Sequence, residues 1–154
     1  MLAPDSPIVR EFLRNSLVMH IASRSARAPF VTPIWFTPHG DTLWITTGSG
    51  TRLAKNVERH PEVVLLLWGE RHRSRGEVLR VRARATCHAG LPPWPVLVRI
   101  ALRFYLAPGA LASELRNAGR WGLRARYYAE VKGGPGHIRL VVTGAELMRT
   151  GSST

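Results

Sequence analysis

The chain has 154 residues, 45% of them hydrophobic, and its 22 lysines and arginines against 10 aspartates and glutamates give a formal net charge of +12. This length suits one domain with a single core, here expected to span residues 1–154. No apolar run approaches the ~20 residues that a membrane-spanning helix needs, and the mixed acidic and basic N-terminus shows no secretory signal. The lone Cys87 can form no internal disulfide. We therefore expect a soluble, cytoplasmic protein without a membrane partner.

The positive charge comes almost entirely from arginine, because lysine occurs only at positions 55 and 132. A field of this sign attracts a nucleic acid, a phosphorylated cofactor or an acidic substrate alike. The net charge does not select among them.

The first third of the chain predicts one helix and three strands. Ser6 followed by Pro7 is typical of a helix start, and apolar residues at helical spacing continue to position 15. Apolar runs at 17–22, 30–37 and 42–47 are separated by residues typical of turns, and each predicts a strand. We expect these three strands to pair in sequence order as a meander.

The stretch TTGSGTRLAKNVERHP, residues 46–61, predicts the end of a strand, a loop rich in glycine and serine, and a short helix over 52–59. Glycines let backbone N–H groups approach an oxyanion, and a helix N-terminus favours negative charge. Arg52 and Lys55 could add cationic side chains. Two interpretations stay open: an anion-binding cradle, or a turn in which Thr51 serves only as the helix N-cap.

The run at 63–68 is continuously apolar, which is typical of a strand buried on both faces. In the next predicted strand, apolar residues alternate with Arg80, Arg82 and Arg84, so these three guanidinium groups should share one strand face. This arginine row is either a solvated surface or an anion-binding surface.

The last third predicts helices at 92–106 and 110–117, inserted as a pair near 92–118. A final hairpin is expected from 127–131 and 138–142 across the glycine-rich turn at 133–136, with a short tail strand at 146–148. About seven short strands with few helices favour a mainly β fold, a small antiparallel barrel.

Motifs for hydrolytic or metal chemistry are not recognisable. The six histidines lack the close pairings of zinc ligands, the carboxylates are scattered, and the sequence has neither a nucleophile elbow nor a Walker loop. An enzyme with this sequence would therefore take its reactive group from a cofactor, and we expect no metal site.

The block VTPIWFTPHGDTLWITTGSGTRLAKNVERHPEVVLLLWG, residues 31–69, orders a strand, a turn, a strand ending in Thr-Thr, a loop and an Asn-x₄-Pro helix end. With this block and the C-terminal segment IRLVVTGAELMR, the chain resembles the pyridoxamine 5′-phosphate oxidase-like FMN-binding split-barrel family over residues 6–148. The resemblance implies a mainly β, antiparallel split barrel and a homodimer with two cofactor sites at its interface.

The resemblance also implies where a flavin would lie, beside one strand, along the end of another and over the loop. It assigns the cofactor to Thr32, Pro33, Ile34, Trp35, Thr46, Thr47, Ser49, Thr51, Arg52 and Lys55. The sequence departs from the family at Val31, Phe36 and Leu53, which stand where the family often has cations. Lys55 could replace one of them.

By resemblance the protein is a flavin- or deazaflavin-dependent oxidoreductase that transfers hydride to an unknown small molecule, with no side chain assigned as acid or base. FMN is the first expectation. The deazaflavin coenzyme, whose acidic tail would suit the +12 charge and the arginine row, is the alternative, and haem is a third. The vitamin-forming oxidase is not expected, since its C-terminal Arg and His motif is not recognisable at 138–149.

Two other classes of function stay open. One is a basic nucleic-acid-binding barrel that would use the arginine row and the tryptophans Trp68, Trp94 and Trp121. These tryptophans lie in apolar runs, which favours packing over nucleic-acid stacking. The other is a cofactor-binding protein without turnover.

Overall fold

The structure, a computed structural model, describes residues 1–68, 76–104 and 133–149. This part of the chain forms three helices and seven strands, in the order α1 (Pro7–Asn15), β1 (Val18–Ser23), β2 (Phe30–Trp35), β3 (Thr37–His39), β4 (Thr42–Gly48), α2 (Arg52–Arg59), β5 (Glu62–Trp68), β6 (Glu77–Ala89), α3 (Trp94–Phe104) and β7 (Pro135–Arg149). The strands make one antiparallel sheet in the order β2-β1-β5-β6-β7-β4-β3, curled into a half-barrel. The predicted mainly β, antiparallel split-barrel class is confirmed.

One face of the sheet carries the core. Successive side chains of a strand point to opposite faces, so Val63, Leu65 and Leu67 of β5 are buried on the inner face. Helix α1 packs Val9 and Phe12 against the same core. The predicted helix at 7–15 is confirmed, with Pro7 in its first turn and no side-chain cap from Ser6.

The predicted three-strand meander is wrong at its second connection. β1 pairs with β2 as expected, but β4 pairs with β3 and β7 instead of β2. The chain passes from one edge of the sheet to the other at Phe36, whose ring is buried in the core. Burial of this aromatic residue stabilises the crossing.

The continuous apolar run of β5 predicted burial on both faces of the strand, and this prediction is wrong. Strand β5 is fully buried on its inner face only. Val64 and Leu66 on the outer face are half-buried, and Trp68 is exposed. Trp68 makes an edge contact with the ring of His20 on β1, 4.6 Å between centroids. The outer face of β5 is therefore an apolar surface of the single chain.

Strand β7 joins the two segments 138–142 and 146–148 that were predicted as separate strands. A register shift against β6 leaves Thr143 as an extra residue, because Ala83 pairs with Val142 and Arg82 with Gly144. The hydroxyl of Thr143 donates to the carbonyl oxygen of Arg82 at 3.2 Å. Such a bulge lets a strand bend and continue.

Helix α3 confirms the first member of the predicted helical pair. The second member at 110–117, the strand at 127–131 and Trp121 lie outside the described residues. The turn before β7 contains Gly133 and Gly134, both with positive φ.

Candidate functional site

The loop between β4 and α2 is fastened to the turn before β7. The N–H of Ser49 donates to the carbonyl oxygen of Gly134 at 3.1 Å, and its hydroxyl donates to the carbonyl oxygens of Gly133 and Gly134. Gly133 has a φ of +99°, and a Cβ there would lie 2.9 Å from the nitrogen of Gly50. Ser49 therefore has a structural role, and the contact requires glycine at position 133.

Thr51 begins helix α2 as its N-cap, as predicted. Its Oγ1 accepts from the N–H of Ala54 and lies 3.3 Å from Oγ1 of Thr47. The N–H groups of Arg52 and Leu53 follow in the first turn and make no hydrogen bond within the described part of the chain. These are the groups that a helix N-terminus offers to an anion.

The electrostatics of this helix start favour negative charge. The first turn of α2 contains no acidic residue, so the positive end of the helix dipole is not offset there. The exposed side chains of Arg52 and Lys55 add two cations. The guanidinium of Arg52 lies 4.7 Å from the ring centroid of Phe30, which brings the start of α2 next to the start of β2.

A buried hydrogen bond holds α2 on the β1–β2 hairpin. The side-chain amide of Asn56 donates to Oγ of Ser23 at 3.1 Å, and the hydroxyl of Ser23 donates to the carbonyl oxygen of Phe30 at 3.4 Å. This explains the asparagine of the Asn-x₄-Pro segment. Sequence reasoning gave no role to Ser23, because nothing local marks it.

The four predicted residues on β2 divide between two faces of an edge strand. Thr32 and Ile34 are half-buried, and Ile34 packs against the core, whereas Pro33 and Trp35 are exposed. The indole of Trp35 stacks on Phe104 at the end of α3, 5.1 Å between centroids. Because β2 is the last strand of the sheet formed by ranges 1–68, 76–104 and 133–149, one side of its backbone faces no neighbouring strand from these ranges.

The structure brings Thr46, Thr47, Thr51, Arg52 and Lys55 together around the loop. Thr46 and Thr47 are half-buried at the end of β4 and pair with the start of β7. Trp35, at the other end of β2 from Phe30, lies about 17 Å along the strand from the Arg52 contact. The ten predicted residues therefore do not form one compact cluster.

Two of the three departures from the family pattern are core residues. Leu53 and Phe36 are buried in the core cluster, so their side chains do not reach the surface of the loop. Val31 is exposed on the outer face of β2. Among the described residues, Arg52 and Lys55 are the cations that the start of α2 offers at the loop.

The arginine row lies on the outer face of β6, as predicted, while Leu79, Val81 and Ala83 are buried on the inner face. Glu146 approaches Arg80 at 4.0 Å and Glu62 approaches Arg84 at 3.9 Å, across neighbouring strands. Exposed pairs of this length contribute little to stability. They nevertheless offset part of the positive charge of the row.

Cys87 packs under α2 and donates from Sγ to the carbonyl oxygen of Ala54 at 3.5 Å. Burial, with a smaller contribution from the nearby carboxylate of Glu58, raises the pKa of this thiol to about 11. The thiol is therefore protonated at neutral pH and is a poor nucleophile.

Metal ligation and membrane spanning find no support in the described ranges 1–68, 76–104 and 133–149. These ranges contain no group of three His, Cys, Asp or Glu side chains arranged to hold a metal ion. They also contain no helix long and apolar enough to cross a membrane.

This geometry, a curled antiparallel sheet with a capped helix start beside an edge strand, defines the split-barrel class. A family model described as pyridoxamine 5′-phosphate oxidase matches residues 6–93, more than half of the chain. The chain belongs to this family. A search of curated protein sequences finds no match.

Solved structures share the fold at low sequence identity. A putative pyridoxamine 5′-phosphate oxidase from Listeria innocua is 16% identical, with a TM-score of 0.60 over 92% of this chain and 95% of that one. HutZ, the haem storage protein from Vibrio cholerae, is 16% identical, with a TM-score of 0.61 over 94% and 93%. An F420 reductase is 20% identical, with a TM-score of 0.55 over 89% and 94%. At these identities the likeness establishes the fold alone.

Proposed function

We propose that the protein is a flavin-dependent oxidoreductase that binds FMN at the start of helix α2 and along β2. The observation that carries the proposal is the helix start, where the N–H groups of Arg52 and Leu53 have no partner among the described residues and lie with two exposed cationic side chains. A phosphate is the anion that such a helix start suits best. Membership of the pyridoxamine 5′-phosphate oxidase family supports the choice of a flavin.

In this proposal Arg52 and Lys55 bind the phosphate. The hydroxyls of Thr46 and Thr47 lie along the ribityl chain, and the backbone of Thr32, Pro33 and Ile34 faces the ring edge. The bound flavin would supply hydride transfer. The protein contributes binding and orientation, and no side chain is assigned as acid or base.

The proposed site is open on its outer side in a single chain, and we propose that a second copy covers it. Val31, Trp35 and Trp68 are 52%, 50% and 44% exposed on the outer face of β2 and β5. Large apolar side chains that cluster at a surface mark an interaction site. A homodimer would bury this face and enclose the ring.

The deazaflavin coenzyme is the alternative cofactor, and the arginine row is the observation that favours it. Arg82 makes no ion pair within the described part of the chain, and the row faces outward. Several such cations act together on a polyanionic tail. FMN remains the first proposal because Glu146 and Glu62 already offset two of the three charges.

Titration of FMN into Arg52→Ala and Lys55→Ala variants tests the phosphate site. Loss of a charge-assisted hydrogen bond of about 1.5 kcal/mol or more raises Kd about tenfold or more for Arg52→Ala. A smaller rise is expected for Lys55→Ala, which lies a turn further from the helix start. Arg59→Ala, at the other end of the same helix, is the matched control and should leave Kd unchanged.

Unchanged affinity in both loop variants, with normal melting temperatures, would mean that the phosphate binds elsewhere. The absorbance spectrum of the purified protein, recorded with FMN, deazaflavin and haem added separately, distinguishes the three cofactors. Saturable binding of haem without binding of either flavin would contradict the proposal.

A further inference from the structure

A cavity of about 1100 Å³ lies between α1, α3, the β3–β4 turn and β7. It reaches Gly40 and Asp41 at one end of β4, whereas the proposed cofactor loop follows the other end of that strand. None of the ten predicted cofactor residues lines it. The cavity is therefore separate from the proposed flavin site.

Two pairs of arginines line this cavity from two helices. Arg10 and Arg14 are one turn apart on α1, and Arg99 and Arg103 are one turn apart on α3. Like charges at this spacing destabilise a helix. The helix dipole favours Arg14 and Arg103, which lie in the last turns of their helices, but it does not account for Arg10 and Arg99 on the same cavity.

Arg103 is the one cation of this set with partners. Its guanidinium donates to the carbonyl oxygens of Leu13, Arg14 and Ser16 at the end of α1. The side chains of Arg10, Arg14 and Arg99 make no hydrogen bond or ion pair within the described residues. Three guanidinium groups are thus available to an occupant of the cavity.

Charge and polarity together define the occupant. Among its described lining residues the cavity has four arginines and two carboxylates, those of Asp5 and Asp41, and neither carboxylate forms an ion pair with a described residue. The rest of the lining is largely apolar and includes Leu102 and Val141, which are 54% and 40% exposed. Concave, mostly apolar sites of several hundred Å³ with a few placed polar groups are typical of small-molecule sites.

We propose that this cavity binds a small organic anion with an apolar body and a carboxylate, sulfonate or phosphate group. The acidic group contacts Arg10, Arg14 and Arg99, and the apolar body packs on Leu102 and Val141. Arg103 keeps the two helices at the distance that this arrangement needs.

The test uses the full chain and the fluorescent probe 8-anilinonaphthalene-1-sulfonate, with uncharged N-phenyl-1-naphthylamine as its matched neutral probe. The triple variant Arg10→Gln, Arg14→Gln, Arg99→Gln should raise Kd for the sulfonate about tenfold or more, since three exposed charge contacts are lost together. Its affinity for the neutral probe should change less than about twofold, since the apolar wall is intact. The control variant Arg24→Gln, Arg27→Gln, Arg59→Gln removes the same charge from exposed sites elsewhere and should bind both probes like the parent.

A second variant, Leu102→Glu, adds a negative charge beside the apolar wall and should also weaken sulfonate binding. Equal sulfonate affinity in the parent and the cavity variant would overturn the proposal, as would competitive displacement of the probe by FMN, which would locate it at the flavin site. A fall in probe affinity as the protein concentration rises would mean that a second copy covers the cavity. This result would also overturn the proposal. Melting temperatures check that each variant folds.

Discussion

Arg103 joins two helices that are distant in the sequence. Its guanidinium reaches three carbonyl oxygens at the end of α1 and lies 5.2 Å from the ring centroid of Phe36. Burial lowers the pKa of this group, yet an arginine stays charged at any ordinary pH. It supplies the positive charge that the C-terminal end of a helix favours.

Replacement of Arg103 by alanine should lower the free energy of unfolding by about 1–3 kcal/mol, because the carbonyl groups at the end of α1 lose their donor. Arg103→Lys should recover only part of this loss, since an ammonium group lacks the planar fork. Urea denaturation measures both. The exposed Arg99→Ala should change stability by less than about 0.5 kcal/mol, and an equal loss in both variants would contradict the capping role.

Cys87 should resist alkylation at neutral pH, since burial first and Glu58 second raise the pKa of its thiol to about 11. The rate of iodoacetamide labelling, followed by mass spectrometry, should rise only as the pH approaches this value. Glu58→Gln should increase the rate at a given pH, because it removes a nearby negative charge. A rate equal to that of an exposed cysteine at pH 8 would contradict this assignment.

The same shift affects stability in alkaline solution. The ordinary pKa of a cysteine thiol is 9.0 and burial raises the pKa of Cys87 to about 11 in the folded chain, so the unfolded chain loses its proton first. The contribution of Cys87 is therefore complete below pH 9 and decreases as the pH rises towards 11.

At the scale of elements, helix α2 depends on a polar contact as well as on its apolar residues. Leu53 and Val57 pack in the core, and the Asn56–Ser23 hydrogen bond fixes the helix on the β1–β2 hairpin. The proposed phosphate site is at the start of this helix, so the contact orients it towards β2.

Asn56→Ala should lower the free energy of unfolding by about 1–3 kcal/mol, because the buried hydroxyl of Ser23 loses a partner. The double variant Ser23→Ala, Asn56→Ala should cost less than the sum of the single variants. Chemical denaturation of the four proteins gives the coupling energy. Strict additivity would mean that the hydrogen bond contributes nothing.

At the scale of the whole molecule, the outer face of β2, β1 and β5 carries an exposed apolar surface. Val31, Trp35 and Trp68 are all exposed there, and the arginine row continues the same face on β6. An apolar face bounded by charges is the usual composition of a protein interface.

We expect sedimentation to show a dimer of the parent protein at micromolar concentration. The double variant Val31→Glu, Trp68→Glu should be monomeric, because it places four charges in the dimer interface. Both side chains are already exposed in one chain, so folding should be retained. The control is the single variant Ala28→Glu, in the exposed β1–β2 loop, which adds one charge per chain away from this face. A parent protein that stays monomeric with saturating FMN would contradict the interface model.

Local sequence determined the elements whose signals lie within a few residues. Ser6-Pro7 predicted the start of α1, alternation on β6 predicted which face is buried, and Thr51 was predicted as the N-cap of α2. These features depend on neighbours along the chain, since helix and strand periodicity and capping act over one or two turns. The loop and helix that support the proposed flavin site could also be predicted from the sequence, because their signals are local.

Tertiary structure decided which strands pair and which polar groups meet. The crossing at Phe36, the single long β7 and the contact of Arg103 with α1 all depend on residues distant in sequence; Arg103 and Ser16, for instance, are 87 positions apart. Nothing in the residues near Arg103 indicates that partner, because which partners meet depends on how the whole sheet curls. The cavity lined by Arg10, Arg14 and Arg99 exists only because this folding sets α1 and α3 on the same side of β7.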